Sequence, residues 1–141
     1  MKSILKELLV WLLVIAVGVV ASYLVVTFVG QRTQVSGESM ETTLSDGDHL
    51  IVDKISYRFN DPQRYDIIVF PYRLEKNIYY IKRIIGLPGE TVQIVNGYVY
   101  INGVQLDEHY GNEVMEEAGL AAEPITLGPH EYSVLADPRT N

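Results

Sequence analysis

Two short segments hold side chains able to do covalent chemistry without a cofactor. The first, Ser36-Gly-Glu-Ser-Met-Glu-Thr-Thr-Leu44, sets the Ser39 hydroxyl in a Gly-containing stretch with neither helical nor strand periodicity. In such a stretch a backbone N–H can point into the same space as the serine Oγ, placing an oxyanion donor beside a nucleophile. A loop serine is also an ordinary turn residue. The second segment, Tyr80-Ile-Lys-Arg-Ile-Ile-Gly-Leu-Pro-Gly-Glu90, sets Lys82 in a run of strand-forming residues. Alternation along a strand puts Lys82 on a face with Tyr80 and Ile84, and Ile81, Arg83 and Ile85 on the other. A lysine among apolar neighbours loses hydration, which lowers its pKa and leaves a neutral amine able to take a hydroxyl proton. Lowering it from about 10.4 to roughly 7.5 requires about 4 kcal/mol, the order of effect that burial and nearby positive charge supply. The competing reading has Lys82 reaching along the strand to water, or pairing with a carboxylate.

These residues need a rigid frame, and the sequence supplies strands. Apolar and β-branched residues gather in His49–Ile55, Ile67–Phe70 and Ile78–Ile85, punctuated by Asn60-Asp61-Pro62 and Pro71. Within Thr91–Leu106 both Asn96-Gly97 and Asn102-Gly103 are two-residue hairpin signals. Such turns pair Ile94 with Val99 and Val92 with Ile101, then Ile101 with Val104 and Val99 with Leu106, giving one aliphatic face. Gln93, Val95, Tyr98, Tyr100 and Gln105 take the other face, so an antiparallel meander closes without conflict. Residues 107–129, with Glu108, Glu113, Glu116, Glu117 and Glu123, read as an acidic surface excursion holding one short helix. A strand resumes at Tyr132–Leu135, whereas residues 31–48 read as irregular. The fold expected is mainly β, a largely antiparallel domain with an Asn-Gly hairpin meander behind a single N-terminal helix.

That helix is the apolar run Leu8–Gly30, free of charged side chains. It reaches the roughly 20 residues needed to cross about 30 Å of hydrocarbon. A domain of this size would struggle to bury such a helix on every side. The run exceeds the usual core of a removable signal and lacks a small-x-small cleavage site, so it reads as a retained anchor. Lys2 and Lys6 before the span place residues 1–7 in the cytoplasm, residues 8–30 in the membrane and residues 31–141 outside the cell membrane. Ser39 follows Gly30 by nine residues, so an extended link reaches at most about 30 Å beyond the span.

Composition narrows the chemistry further. Residues 31–141 carry 9 Lys and Arg against 17 Asp and Glu, an acidic balance that excludes nucleic acid as the main partner. With no Cys there is neither a disulfide framework nor a thiol nucleophile, and His49, His109 and His130 lack ligand spacing. Neither a metal nor a cofactor is expected.

Five ordered segments carry a resemblance. They are Ser36-Gly-Glu-Ser-Met40 with Thr43-Leu44; Gly47-Asp48 with Val52 and Lys54; Arg64 with Asp66-Ile-Ile-Val-Phe70; Lys82-Arg83 with Pro88-Gly-Glu90; and Val134-Leu-Ala-Asp-Pro-Arg139. In order and spacing, and with the anchor before them, they resemble the bacterial type I signal peptidases over nearly the whole chain. The resemblance implies a membrane-bound serine endopeptidase that cuts signal peptides from exported preproteins with small residues at -1 and -3. It implies Ser39 as nucleophile, Lys82 as general base, and the Ser39 N–H as an oxyanion donor. Gly37 stands where many members carry a second hydroxyl donor. Met40 would lie by the substrate surface, Asp66 with Arg64 would steady the strand before Lys82, Asp137 and Arg139 would belong to a network that holds the last strand against the site, and Arg83 would be a further supporting residue.

This sequence departs from the pattern at Thr42, where Pro is usual, at Glu90, where Asp is usual, and at Ala136 and Pro138 within a Gly-Asp-Asn-Arg motif. The family pattern continues with a Ser, expected one residue past Asn141, that helps orient the base lysine. The alternatives are a truncated or impaired relative that binds precursors, or a membrane-tethered β domain for protein interaction.

Overall fold

The computed structural model describes all residues except 1, 42, 75–77, 109, 111–114, 116–117 and 139–141. Helix α1, Lys2–Phe28, is apolar on all sides, and almost every described side chain along it is exposed. It is long and apolar enough to cross a membrane. The chain divides into two compact units, and α1 belongs to the first, with residues 1–33 and 49–61.

Gly30–Gln34 forms strand β1, all but its last residue in that unit, and pairs with His49–Asp53, strand β2. This corrects the reading of residues 31–48 as wholly irregular: Gln31–Gln34 carry no alternating pattern, and pairing to β2 makes them a strand. A single 3-10 turn, Ser56–Arg58, follows β2. Its start is held by Asp53, whose Oδ1 accepts the N–H groups of Ile55 and Ser56 at 2.8 and 3.1 Å.

The second unit, residues 34–48 and 62–141, holds two antiparallel sheets. One runs β3 (Ile67–Pro71), β4 (Tyr79–Gly86), β9 (Ser133–Leu135). The other runs β7 (Val104–Gln105), β6 (Tyr98–Ile101), β5 (Thr91–Val95), β8 (Ile125–Thr126). The meander has the expected register, Val92 opposite Ile101, Ile94 opposite Val99 and Ile101 opposite Val104. Both turns have two left-handed residues, Asn96 and Gly97 at φ 51° and 80° and Asn102 and Gly103 at 52° and 81°. This is the type I′ geometry whose twist matches paired strands. Asn102 also ties its turn to β5, accepting the Thr91 N–H on Oδ1 at 2.9 Å.

The aliphatic face of the meander becomes the core, where Val92, Ile94, Val99 and Ile101 are buried with Ile85 and Leu127. Each such side chain contributes roughly 1.5–3 kcal/mol by leaving water. Val104 shares the face yet stays exposed at the sheet edge. The excursion is less peripheral than its charge suggests: Ile125–Thr126 adds β8 to β5, and Met115, Ala118 and Ala121 pack on the core.

Between Ile84 and Gly86 the β4–β9 register shifts, and Gly86 faces the core at that irregularity. A Cβ there would meet Val92 Cγ2 at 2.6 Å, Leu127 Cδ1 at 2.8 Å and Ser133 Cβ at 3.0 Å. Gly86→Ala is therefore expected to destabilise by about 1–3 kcal/mol. Denaturant unfolding of the full chain in detergent measures this, and an unchanged midpoint would show that the contact relaxes freely.

Candidate active site

Strand β4 presents Lys82 and Arg83 to opposite faces, as consecutive strand residues must be. The Arg83 side forms the framework. Arg83 and Asp137 are 8% and 0% exposed, and the guanidinium grips the carboxylate with a fork, Nε to Oδ1 at 2.8 Å and Nη2 to Oδ2 at 2.6 Å. The Thr43 hydroxyl donates to Asp137 and accepts from Arg83 Nη2 at 3.0 Å. Arg83 Nη1 donates to the Tyr65 carbonyl at 3.1 Å, and the guanidinium lies 4.2 Å from the centre of the Tyr110 ring. Hydrogen bonding to Asp137 raises the Arg83 pKa above its ordinary value, so the cation is fixed. Tyr65 takes a left-handed φ of 74°, held by its N–H bond to the Ile84 carbonyl at 2.8 Å.

The network locates the serine loop as well. The Asp137 N–H donates to the Ser39 carbonyl at 3.2 Å. Met40, the next residue, is 1% exposed, and its carbonyl accepts the N–H groups of Thr43 and Leu44 at 2.8 and 2.5 Å. Ser39 itself stays exposed. Gly37 has φ +103°, a conformation that strains any L side chain, and its N–H donates to Asp46 Oδ1 at 2.8 Å.

Ser39 and Lys82 both line a groove of about 820 Å³. Its walls include Ser133–Leu135 of β9 and the following Ala136, Val92 and Ile94 of β5, and Met115, Leu120 and Leu127 of the excursion. Burial lowers the Lys82 pKa, opposed by attraction to the Asp137 charge, and the net direction is downward. The ammonium also stands 6.0 Å from the centre of the Tyr80 ring, which itself packs on Tyr72 and Phe70.

Other expected residues sit outside the groove. Gly37 and Met40 do not line it. Asp66 caps the approach to β3, accepting the Gln63 N–H at 2.9 Å while its carbonyl accepts the Ile84 N–H at 2.9 Å. Arg64 turns to Glu90 at 2.5 Å and also donates to the Ile85 carbonyl. Glu90 accepts the Leu87 N–H at 2.8 Å, closing the turn after β4. Arg139 lies outside the described residues, as do Thr42 and His109. Among the described residues no three His, Cys, Asp or Glu side chains are grouped to hold a metal. The excursion's share of the groove wall was missed from sequence because small and acidic residues there show no period. Thr43 was visible only as part of a motif.

A hydroxyl and an amine with a depressed pKa, lining one groove, make an arrangement suited to serine/lysine acyl transfer. Comparison with known proteins gives the family. The family model "Signal peptidase, peptidase S26" matches residues 6–141, and the chain belongs to this family. It is 42% identical over 120 residues to a probable signal peptidase I-2 of Synechocystis sp., covering 82% of this chain and 54% of the relative. It is 42% identical over 134 residues to a signal peptidase I of Leptolyngbya laminosa, covering 90% of this chain and 64% of the relative. A crystal structure of a signal peptidase I from Enterococcus faecalis V583 is 35% identical, spans 55% of this chain and 78% of that one, and has a TM-score of 0.45. The chain thus covers less than two thirds of the length of these two curated relatives.

Two predictions follow from the ion pairs. Asp137→Ala strands a buried guanidinium and is expected to cost about 3–5 kcal/mol in denaturant unfolding; a loss below about 1 kcal/mol would show that other contacts hold the loop to β4. For Glu90, burial raises the pKa, but the Arg64 hydrogen bond, the Leu87 N–H and the Arg64 charge outweigh it and leave the net value lowered. Its stabilising contribution is present above the ordinary glutamate pKa and is lost as pH falls through the folded value. Glu90→Gln should therefore flatten the acid limb of a stability-versus-pH curve.

Proposed function

We propose that this chain is a membrane-anchored serine endopeptidase that cleaves signal peptides from exported preproteins, with Ser39 as nucleophile and Lys82 as general base. The observation that carries this reading is the shared groove: a hydroxyl and a lysine with a lowered pKa open onto one space in a member of the signal peptidase family. Helix α1 would hold the chain in the bilayer with residues 1–7 in the cytoplasm, as the flanking Lys2 and Lys6 favour.

In this reaction neutral Lys82 takes the Ser39 proton while Oγ adds to the scissile carbonyl carbon. The tetrahedral oxyanion accepts a hydrogen bond from the Ser39 N–H, for which no acceptor is present among the described residues. Collapse breaks the C–N bond, and the Lys82 ammonium protonates the leaving amine. Lys82, neutral again, then activates water to hydrolyse the ester and restore Ser39. Because Gly37 carries no hydroxyl, any second oxyanion donor comes from elsewhere than that side chain. The substrates are precursors with small residues at -1 and -3, since a close-fitting pocket rejects larger side chains by overlap.

Cleavage of a precursor with Ala at -1 and -3 tests the assignment. Ser39→Ala and Lys82→Ala are each expected to lower kcat/KM by about 10³-fold or more, and equal cleavage by all three proteins would remove the mechanism. The base must be deprotonated, so the rate should rise with pH. Its midpoint should fall below the ordinary lysine value of about 10.4.

A further inference from the structure

The Arg83 guanidinium is held at its edge and covered on its face. Asp137, Thr43 and the Tyr65 carbonyl take its N–H groups. The guanidinium carbon stands over the Tyr110 ring, 4.2 Å from its centre. A cation so placed is attracted by the negative face of the ring, and the attraction is stronger where water is excluded, as it is around the buried Arg83. Tyr110 is fixed in turn. Its hydroxyl donates to Glu108 Oε1 at 2.9 Å, it packs on the hydrophobic core, and its ring meets that of Tyr65 edge-on with centroids 5.6 Å apart. The Tyr65 hydroxyl donates to the Asp107 carbonyl at 3.0 Å, while the Tyr65 carbonyl accepts from Arg83. Tyr65 has its backbone in the left-handed region, where a bulky side chain is strained and surrounding contacts must hold it. The two tyrosines thus fasten the start of the excursion to β4 at Arg83.

What this clamp governs is the neighbouring residue. Consecutive strand residues project to opposite faces, so a fixed Arg83 fixes the direction Lys82 takes from β4. Asp137, the carboxylate that Arg83 neutralises, is also the charge that favours the Lys82 ammonium. Among the described residues, further charge at Lys82 comes from Glu38 and Glu41 of the serine loop, which line the same groove. Strands β3, β5 and β9 carry none. Tyr110 does not line the groove, so altering its ring leaves Glu38, Glu41 and the wall that meets substrate in place.

We propose that Tyr110 is a positioning residue for the cleavage reaction: the face of its ring keeps the Arg83 guanidinium in its fork with Asp137, and through that fork sets the stance of Lys82 and the strength with which Asp137 acts on it. It rests on the reading of Lys82 as the general base. A weaker ring face frees Arg83 to exchange its partners for water. More of the Asp137 charge then reaches Lys82, and the amine stays protonated to higher pH.

Replacing Tyr110 by phenylalanine, and then by phenylalanines bearing successively more ring fluorines, weakens the ring face stepwise at nearly constant shape. In the full chain in detergent, Tyr110→Phe should cleave a precursor with Ala at -1 and -3 as the unaltered chain does. Along the fluorinated series kcat should fall, by about tenfold at its end, with KM unchanged, and the midpoint of the pH rise in kcat/KM should move upward. The Arg83 Nε proton, followed by nuclear magnetic resonance, should exchange with water faster in the same order. A series flat in kcat, midpoint and exchange would overturn the positioning role while leaving Ser39 and Lys82 in theirs. A change confined to KM would overturn it too, since that marks a disturbed groove wall. Loss already complete in Tyr110→Phe would assign the effect to the hydroxyl on Glu108 and overturn the role of the ring face. Lys82→Ala, assayed beside the series, separates the two readings: cleavage equal to that of the unaltered chain would overturn Lys82 as base, and the role of Tyr110 with it.

Discussion

A buried charge pair, Arg83 with Asp137, sets the conditions for the rest of the site. Desolvating both groups costs several kcal/mol each, and that is recovered only if every donor and acceptor around them closes. Closure here draws in Thr43, the Tyr65 carbonyl and the Tyr110 ring, so segments far apart in the chain must arrive together. The two groups proposed for chemistry adjoin this pair: Lys82 precedes Arg83, and the Ser39 carbonyl accepts the Asp137 N–H. One carboxylate also has opposing effects. Its charge favours the Lys82 ammonium while burial favours the amine, and Arg83, by neutralising Asp137, limits the first effect.

What could be read before the structure was what short-range physics dictates. Asn96-Gly97 and Asn102-Gly103 specify their turns by tolerance of positive φ, and the turns then fix the register of Val92, Ile94, Val99 and Ile101. The apolar face of those strands was legible for the same reason, except at Val104, where the short edge strand leaves it uncovered. Strand β1 was not, because Gln31-Arg-Thr-Gln34 has no apolar alternation and is ordered by pairing with β2. Ser39 and Lys82 were picked out by residue type, by alternation and by resemblance, but their common groove depends on Met115, Leu120 and Leu127, whose approach is tertiary. Arg64 illustrates the same limit. It lies two residues from Asp66 in sequence yet forms its ion pair with Glu90, 26 residues on and beyond β3 and β4, a pairing set by tertiary structure.

The strict alternation of β4 has a consequence for how this chain can vary. Lys82 and Arg83 differ by one position and face opposite worlds, a solvent-open groove and a sealed ion pair. Substitutions along the strand change one face at a time, and selection can tune groove and scaffold independently. Insertion or deletion of a single residue within the paired part of the strand would exchange the faces, turning the amine into the sealed layer and the guanidinium into the groove. The length of β4 itself is therefore constrained by parity, and variation in size is better absorbed outside the strand. In a lineage of such chains, the history of this segment is expected to be written in replacements, with length changes confined to the loops on either side.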